Sequence, residues 1–290
     1  MSIQNNKKMK LYKIEAGSFH VDGGAAFGVV PKKVWQKRYP ADENNFCKLH
    51  MRCLLVDTGD RRILVDAGTG DKQLEYLKYY GFEGVISFPD ELAKIGYSCD
   101  DITDVVFTHL HFDHCGGATR YNADKTAVEF VFPNATHWVG ETQWQNFLNP
   151  NVREGDSYFR ENMLPIEEAG KLKKISSDFV LTDGVELRIF NGHTVGQIAV
   201  YVQLAQQTLV YCGDVIPLAA NVPVAWLSSY DIFPLDAMTD KQRMLEEAAE
   251  KQQILLFEHD AYTECCLVEK QYNKFKVSKT LKFAEVTPSS

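Results

Sequence analysis

The chain has 290 residues, 45% of them hydrophobic and 24% charged, which excludes a disordered or fibrous protein and supplies a sizeable core. A formal net charge of -8 argues against a nucleic-acid partner, since phosphate binding relies on clustered Lys and Arg. No apolar run approaches the roughly 18 residues of a membrane span and the start, MSIQNNKKMK, has no apolar signal core, so no membrane partner and a cytoplasmic location are the expectation.

Residues 1–9 read as a disordered tail and residues 10–290 as one domain. Leu11 to Glu15, Met51 to Asp57 and Ile63 to Asp66 are predicted strands, the last two joined as a hairpin through Thr58-Gly59-Asp60. Between them, residues 17–50 carry Gly23, Gly24, Gly28, Pro31 and Pro40. That punctuation predicts a long irregular loop, serving as a lid or a homodimer contact. Apolar periodicity predicts helices over Gln73 to Tyr80 and Pro89 to Ile95, and a buried strand over Asp104 to Thr108 that runs into HLHFDHCGG. Glu129 to Phe132 is a further predicted strand. His137 to Phe147 reads as an amphipathic helix with Trp138, Trp144 and Phe147 on one packing face. Strands follow over Glu186 to Phe190, Gln197 to Leu204 and Thr208 to Cys212, then a helix from Thr239 to Lys251 capped by Thr239, then the strand Ile254 to Phe257. Strands with helices inserted between them predict an α/β class in which two mixed sheets pack face to face with helices outside.

The chemistry concentrates where strands end. His109 and His111 stand two apart at the end of an apolar strand, so the period-two alternation sends both imidazoles to one side. Asp113 and His114 follow at a turn, where Gly116 and Gly117 permit close backbone approaches. Three histidines and an aspartate within six positions would be costly to bury without a cation, whereas a divalent ion neutralises the carboxylate and uses the imidazole lone pairs. His193, Asp214 and His259 each end a later apolar run and complete a seven-residue ligand set. His20, His50 and His137 lack ligand spacing. The seven cysteines show no CxxC spacing and fit reduced thiols, and Cys115 reads as a buried packing residue.

The segments THLHFDHCGG, NGHTVGQ, YCGDV and FEHD resemble the successive motifs of the metallo-β-lactamase superfamily, in particular its dinuclear branch of acyl-homoserine lactonases and methyl-parathion-type hydrolases. The resemblance implies a four-layer αββα sandwich and two divalent metal ions, zinc first, with iron, manganese or cobalt as the other options for a nitrogen and oxygen ligand set. It implies that His109, His111 and His193 hold one ion, that Asp113, His114 and His259 hold the other, and that Asp214 bridges them. Asp113 and Asp214 are then the catalytic carboxylates, and Asp66, at the end of Ile63-Leu64-Val65, orients a ligand from behind.

The activity this implies is hydrolysis of a small-molecule carboxylic ester or lactone by a metal-bound hydroxide. Phosphotriester hydrolysis at the same centre is the alternative. Iron redox chemistry and a silent binding module are weaker ones, the first because relatives of that kind carry Glu where His111 stands, the second because the ligand set is complete. Phe27, Leu218, Trp226 and Phe233 are the pocket candidates. The pattern departs from the lactonases three residues after Asp214, where Pro217 replaces a carbonyl-polarising tyrosine; Tyr230, Ser228 or Ser229 are the substitutes on offer.

Overall fold

The computed structural model describes residues 9–286, so residues 1–8 of the expected tail 1–9 lie outside the described residues, while Met9 packs against the core between the sheets. The first half of the chain forms strands β1 (Lys10–Asp22), β2 (Phe46–Asp57), β3 (Arg62–Val65), β4 (Asp104–Val106), β5 (Thr119–Tyr121), β6 (Val128–Phe130), β7 (Thr136–Gly140) and β8 (Leu172–Ile175). The second half forms β9 (Phe179–Thr182), β10 (Val185–Phe190), β11 (Gln197–Gln203), β12 (Thr208–Tyr211), β13 (Ile254–Leu256), β14 (Cys265–Gln271) and β15 (Lys274–Leu281). One sheet runs β1-β2-β3-β4-β7-β8 and the other β15-β14-β13-β12-β11-β10-β9, with β5-β6 a separate ribbon. Strands β3, β4, β7 and β8 are mutually parallel, as are β12 and β13, so their C-terminal ends gather at one rim. The ligand candidates lie along that rim.

The layering follows from side-chain alternation. Leu54, Val56, Ile63, Val65 and Val106 of the first sheet pack against Leu187, Ile198, Val200, Leu209 and Leu256 of the second. The intervening residues point the other way. Leu55, Leu64 and Val105 meet the helices α3 (Phe88–Lys94), α5 (Glu141–Leu148) and α6 (Arg160–Glu168) through Leu92, Trp144, Phe147, Met163 and Ile166. On the far side, Ala199, Tyr201, Val210 and Leu255 meet Met244, Leu245 and Ala248 of α7 (Pro234–Lys251). Strands covered on both faces lose the apolar-polar alternation, which is why Ile198–Val202 reads as a continuous buried run. The order is helix, sheet, sheet, helix, as the resemblance implied, and no helix among the described residues is long and apolar enough to cross a membrane.

Four local expectations are corrected. Residues 17–50 are no irregular loop: β1 and β2 form a long antiparallel hairpin with a register shift between Glu15 and Ser18, and only its tip carries the short helices α1 (Gly23–Phe27) and α2 (Lys32–Trp35). Trp138 lies in β7, not on a helix, because the parallel pairing to β4 and β8 claims residues 136–140 and the helix starts only at Glu141. Gln73 to Tyr80 is mostly turns, with one 3₁₀ turn at Lys78–Tyr80. There the Gln73 amide donates inward to Glu161 (3.0 Å) and Asn162 (3.1 Å). Thr239 sits inside α7, its hydroxyl donating to the Leu235 carbonyl at 3.1 Å, and the helix instead begins with Pro234, whose fixed φ suits a first turn.

Candidate metal centre

The rim brings all seven sequence-named residues together. His109 follows β4 and His111 ends the extended stretch before the single turn α4 (Phe112–Cys115), which turns Asp113 and His114 back toward the same point. That turn presses against the loop after β3: a side-chain carbon on Gly116 would stand 2.1 Å from the Thr69 carbonyl oxygen and one on Gly117 2.1 Å from that of Ala67. His193 comes from the β10–β11 connection, Asp214 from the 3₁₀ turn Gly213–Val215 after β12, and His259 from the loop after β13. The Gln197 carboxamide, oriented by its surroundings, accepts from the Asp214 and Val215 amides at 2.7 and 3.0 Å and fixes the turn.

Four sets of three lie close enough to share an ion: His109, His111 and His193; Asp113, His114 and His259; His109, His114 and Asp214, which links these two; and Asp66, His114 and Glu258 behind them. In the first, His109 Nε2 lies 2.9 Å and His193 Nε2 3.4 Å from His111 Nδ1. In the second, His259 Nε2 lies 3.2 Å from His114 Nε2, and Asp113 Oδ2 is 3.7 Å from each of these nitrogens. Asp214 stands between the groups, with Oδ2 3.3 Å from His193 Nε2 and Oδ1 3.0 Å from His259 Nε2.

The donor set fits two ions. Nitrogens bound about 2.05 Å from one tetrahedral ion stand roughly 3.3 Å apart, close to the separations within each group. Asp214 Oδ1 is buried without a well-formed hydrogen bond, a group that a cation would satisfy. Burial, with the neighbouring imidazoles, pushes His109 well below the ordinary histidine range, so its ring stays a neutral lone-pair donor.

Each of the five imidazoles points one nitrogen inward and has the other beside an oxygen. His109 Nδ1 meets Thr108 Oγ1 (3.1 Å), His111 Nε2 meets Glu154 Oε1 (3.3 Å), and His193 Nδ1 meets Asp231 Oδ1 (3.0 Å). His114 Nδ1 lies 3.1 Å from both Asp66 Oδ2 and Glu258 Oε2, and His259 Nδ1 lies 2.7 Å from the His50 carbonyl oxygen. Such partners fix ring orientation and tautomer. Asp66 stands behind His114 and also accepts from Thr108 N (2.7 Å) and Thr108 Oγ1 (2.8 Å).

Glu154, Asp231 and Glu258 were not picked out from the sequence. Glu154 is buried and accepts from Thr194 (2.6 Å), Tyr158 (2.9 Å) and Asn146 (2.9 Å); burial raises its carboxyl, but His111, then Thr194 and Asn146, outweigh that and hold it at about 2. Burial pushes the Glu258 carboxyl the other way, up to about 8. Glu258 adjoins His259 in FEHD, a signal that was available; Glu154 and Asp231 sit alone in loops and gave none.

Above the two groups opens a cavity lined on one side by His111, Asp113, His193, Asp214 and His259 and on the other by Phe19, Val21, Leu49, Leu218 and Ile232, with Tyr80, Arg153, Ser228 and Tyr230 also on its wall. Of the four pocket candidates only Leu218 lines it. Phe27 is fully buried and stacks on Trp35 at 4.8 Å, Trp226 packs under the Arg38 guanidinium at 4.4 Å, and Phe233 stands exposed just before α7. The hairpin tip claims the first two for its own core. His20, His50 and His137 join no ligand group among the described residues. Cys115 packs with its thiol on the Leu110 carbonyl at 3.4 Å, and burial pushes it up to about 12, too high for a nucleophile.

Residues 52–259 match the family model described as the metallo-β-lactamase superfamily. The N-acyl homoserine lactonase AiiA of Bacillus thuringiensis subsp. kurstaki is 25% identical over 287 residues, 91% of this chain and 98% of that one. A probable metal-dependent hydrolase from Staphylococcus aureus superposes with a TM-score of 0.84 at 28% identity, covering 96% of this chain and 100% of its own. AidC, a dizinc quorum-quenching lactonase solved with a product, superposes with a TM-score of 0.75 at 19% identity, covering 96% of each chain, a likeness of fold.

Proposed function

Since the chain belongs to the metallo-β-lactamase superfamily and is a hydrolase of it, we propose that it hydrolyses carboxylic esters and lactones at a centre of two divalent metal ions, zinc first. The observation that carries this reading is the set of five imidazoles, each with one nitrogen turned inward and the other beside an oxygen, around the Asp214 carboxylate. His109, His111 and His193 would hold one ion and Asp113, His114 and His259 the other, with the Asp214 carboxylate placed between them to serve both. Bound there, such a pair polarises a carbonyl oxygen and acidifies water.

The chain's own residues do the rest. The outer oxygens lock the rings, so that no reorganisation is needed when charge develops. Asp113, on the cavity wall, accepts a proton from the attacking water and returns it to the leaving alkoxide. Phe19, Val21, Leu49 and Leu218 exclude water and receive an apolar acyl group. Among the three hydroxyl residues suggested by sequence, Ser228 donates to Ala25 (3.1 Å) and Ser229 to Gly24 (2.9 Å), both main-chain carbonyls, whereas Tyr230 donates to Tyr80 on the cavity wall, a bond that a substrate carbonyl oxygen entering the cavity can replace, and Tyr230 is taken as the donor. The whole-length similarity to a lactonase supports the lactone class.

A second reading, aryl phosphotriester hydrolysis, is favoured by Pro217, which lines the cavity yet brings neither a hydroxyl nor an N–H. Metal quantification on purified protein, joined to a hydrolysis screen of lactones, aryl esters, thioesters and phosphotriesters, tests both. Two ions per chain and chelator-sensitive ester or lactone turnover are expected. A single ion remote from Asp214, or turnover that survives metal removal, defeats the proposal.

A further inference from the structure

Arg52 plays no part in the chemistry above, yet its position is unusual for an arginine. Along β2 it shares a face with Leu54 and Val56, which point into the core between the sheets, and it is only 1% exposed. At the rim this direction carries the guanidinium across to the second sheet, to the loop that follows β13. There Nη1 donates to the Phe257 carbonyl and Nη2 to the Asp260 carbonyl at 3.1 Å. These carbonyls bracket Glu258 and His259. The backbone adds to the grip: Arg52 N donates to the Glu258 carbonyl at 3.2 Å and His50 N to the His259 carbonyl at 2.9 Å. On the other side, Nε donates to Glu15 Oε1 at 3.0 Å, the Arg52 carbonyl accepts from the Tyr211 hydroxyl at 2.6 Å, and Glu15 itself takes the His50 ring at 3.0 Å.

From this geometry we infer that Arg52 is a positioning residue for one half of the metal centre: its guanidinium sets the His259 loop, and with it the affinity of the Asp113, His114 and His259 group for its ion. The inference rests on the two-ion reading. Its physical basis is that the loop between Phe257 and Asp260 turns two carbonyls inward at the rim, where each needs a donor. A planar fork supplies both donors in fixed relation to one another, and an ammonium cannot. Among the described residues no guanidinium is seen to hydrogen-bond the loops that carry His109, His111 and His193, which are fixed through Thr108, Glu154 and Asp231, so the effect of losing Arg52 falls on one group.

The test is a Zn²⁺ titration against a chromophoric chelator, run on metal-stripped wild type, Arg52→Lys, Arg52→Met and Glu15→Gln. In Arg52→Lys and Arg52→Met the first ion should keep its wild-type affinity while the second is weakened about tenfold or more, the range usual for partners that orient ligands. Glu15→Gln changes a side chain 34% exposed, so it keeps the fold even if an Arg52 variant does not; it should shift the second ion in the same direction by less. A merely structural role for Arg52 would weaken both ions together with the melting temperature. A wild type holding two ions whose folded variants bind both alike, or lose both alike, overturns this inference alone; a wild type holding one ion fails the two-ion reading and the inference with it.

Discussion

The His109, His111 and His193 group leans largely on loops: Glu154 comes from the segment after α5 and Asp231 from the segment before α7. The Asp113, His114 and His259 group leans on the ends of strands, with Asp66 following β3, Glu258 two residues past β13, and the His50 carbonyl within β2. Both arrangements do the same thing to an imidazole, yet one is mounted on connections that a fold can rebuild and the other on the packed rim of two sheets. The difference separates metal affinity from stability. Behind the loop-mounted group a substitution should alter the ion alone, whereas behind the rim-mounted group it should also loosen the core.

The largest effect should come where the groups meet. Asp214→Ala is expected to drain both ions and lower kcat/KM on the order of 10³-fold or more. His193→Ala should deplete chiefly the first ion and His259→Ala chiefly the second, read by metal content after gel filtration. Equal occupancy in all three variants would contradict the bridging place of Asp214.

Next in size is the contrast between Asp231→Asn and Asp66→Asn. Each should cost about 10- to 100-fold in affinity for the ion in its own group. Asp66 also accepts two hydrogen bonds from Thr108 in a fully buried setting, so its loss should take about 2 kcal/mol of stability as well. Urea midpoints of the metal-free proteins would show this. A midpoint lowered equally by Asp231→Asn removes the distinction between the groups.

Away from the ligand groups, His137 shows what burial does to an imidazole. It lies in β7, fully buried, stacked on Phe107 with ring centroids 5.9 Å apart. Burial, then the Lys171 charge, lowers its pKa from 6.5 to about 4. The folded state therefore disfavours the proton that the unfolded chain accepts. Stability from this residue is full above the unfolded value and is lost as pH falls from about 6.5 to about 4, by roughly 3 kcal/mol. The wild-type stability minus that of His137→Leu, measured by urea unfolding across this window, should fall with pH by that amount; a flat difference would mean the ring is solvated or hydrogen-bonded.

The same contrast explains what could be read from the chain. His109, His111, Asp113 and His114 are legible because one strand end and one turn bring them together within six residues, and His193, Asp214 and His259 because each closes an apolar run. Glu154 and Asp231 are not, since their partners lie 43 and 38 residues away and nothing local marks a loop carboxylate that folds inward. The layers were legible from buried strands alternating with helices. Residues 17–50 read as an irregular loop because Gly23 and Gly24, which open a short helix at a hairpin tip, punctuate the sequence, while the β1–β2 pairing that surrounds them is set by register across the chain. Trp138 reads as helical from sequence because a buried strand followed at once by a helix shows no change in apolar density at the boundary.

The smallest expected effect concerns the cavity wall rather than the ligands. Pro217 offers no donor to a developing oxyanion, while Tyr230, further along the same β12–α7 segment, lines the same cavity with its hydroxyl donating to Tyr80. A lactone ring has a poor alkoxide leaving group, so its opening depends on stabilising the oxyanion; an aryl ester or aryl phosphotriester leaves more readily and depends on it less. Because Tyr230 must give up its bond to Tyr80 to reach the oxyanion, wild type should favour aryl substrates over long-chain homoserine lactones, and a tenfold kcat/KM advantage of the lactones over every aryl substrate would reverse this ranking. Pro217→Tyr should raise lactone kcat/KM about several-fold while leaving aryl esters unchanged, because it adds a donor where one already serves. In a Tyr230→Phe background, where that donor is missing, the same substitution should gain more. Equal gains in the two backgrounds would mean that Tyr230 never reached the oxyanion, and that the wall tyrosine shapes the cavity without taking part in the reaction.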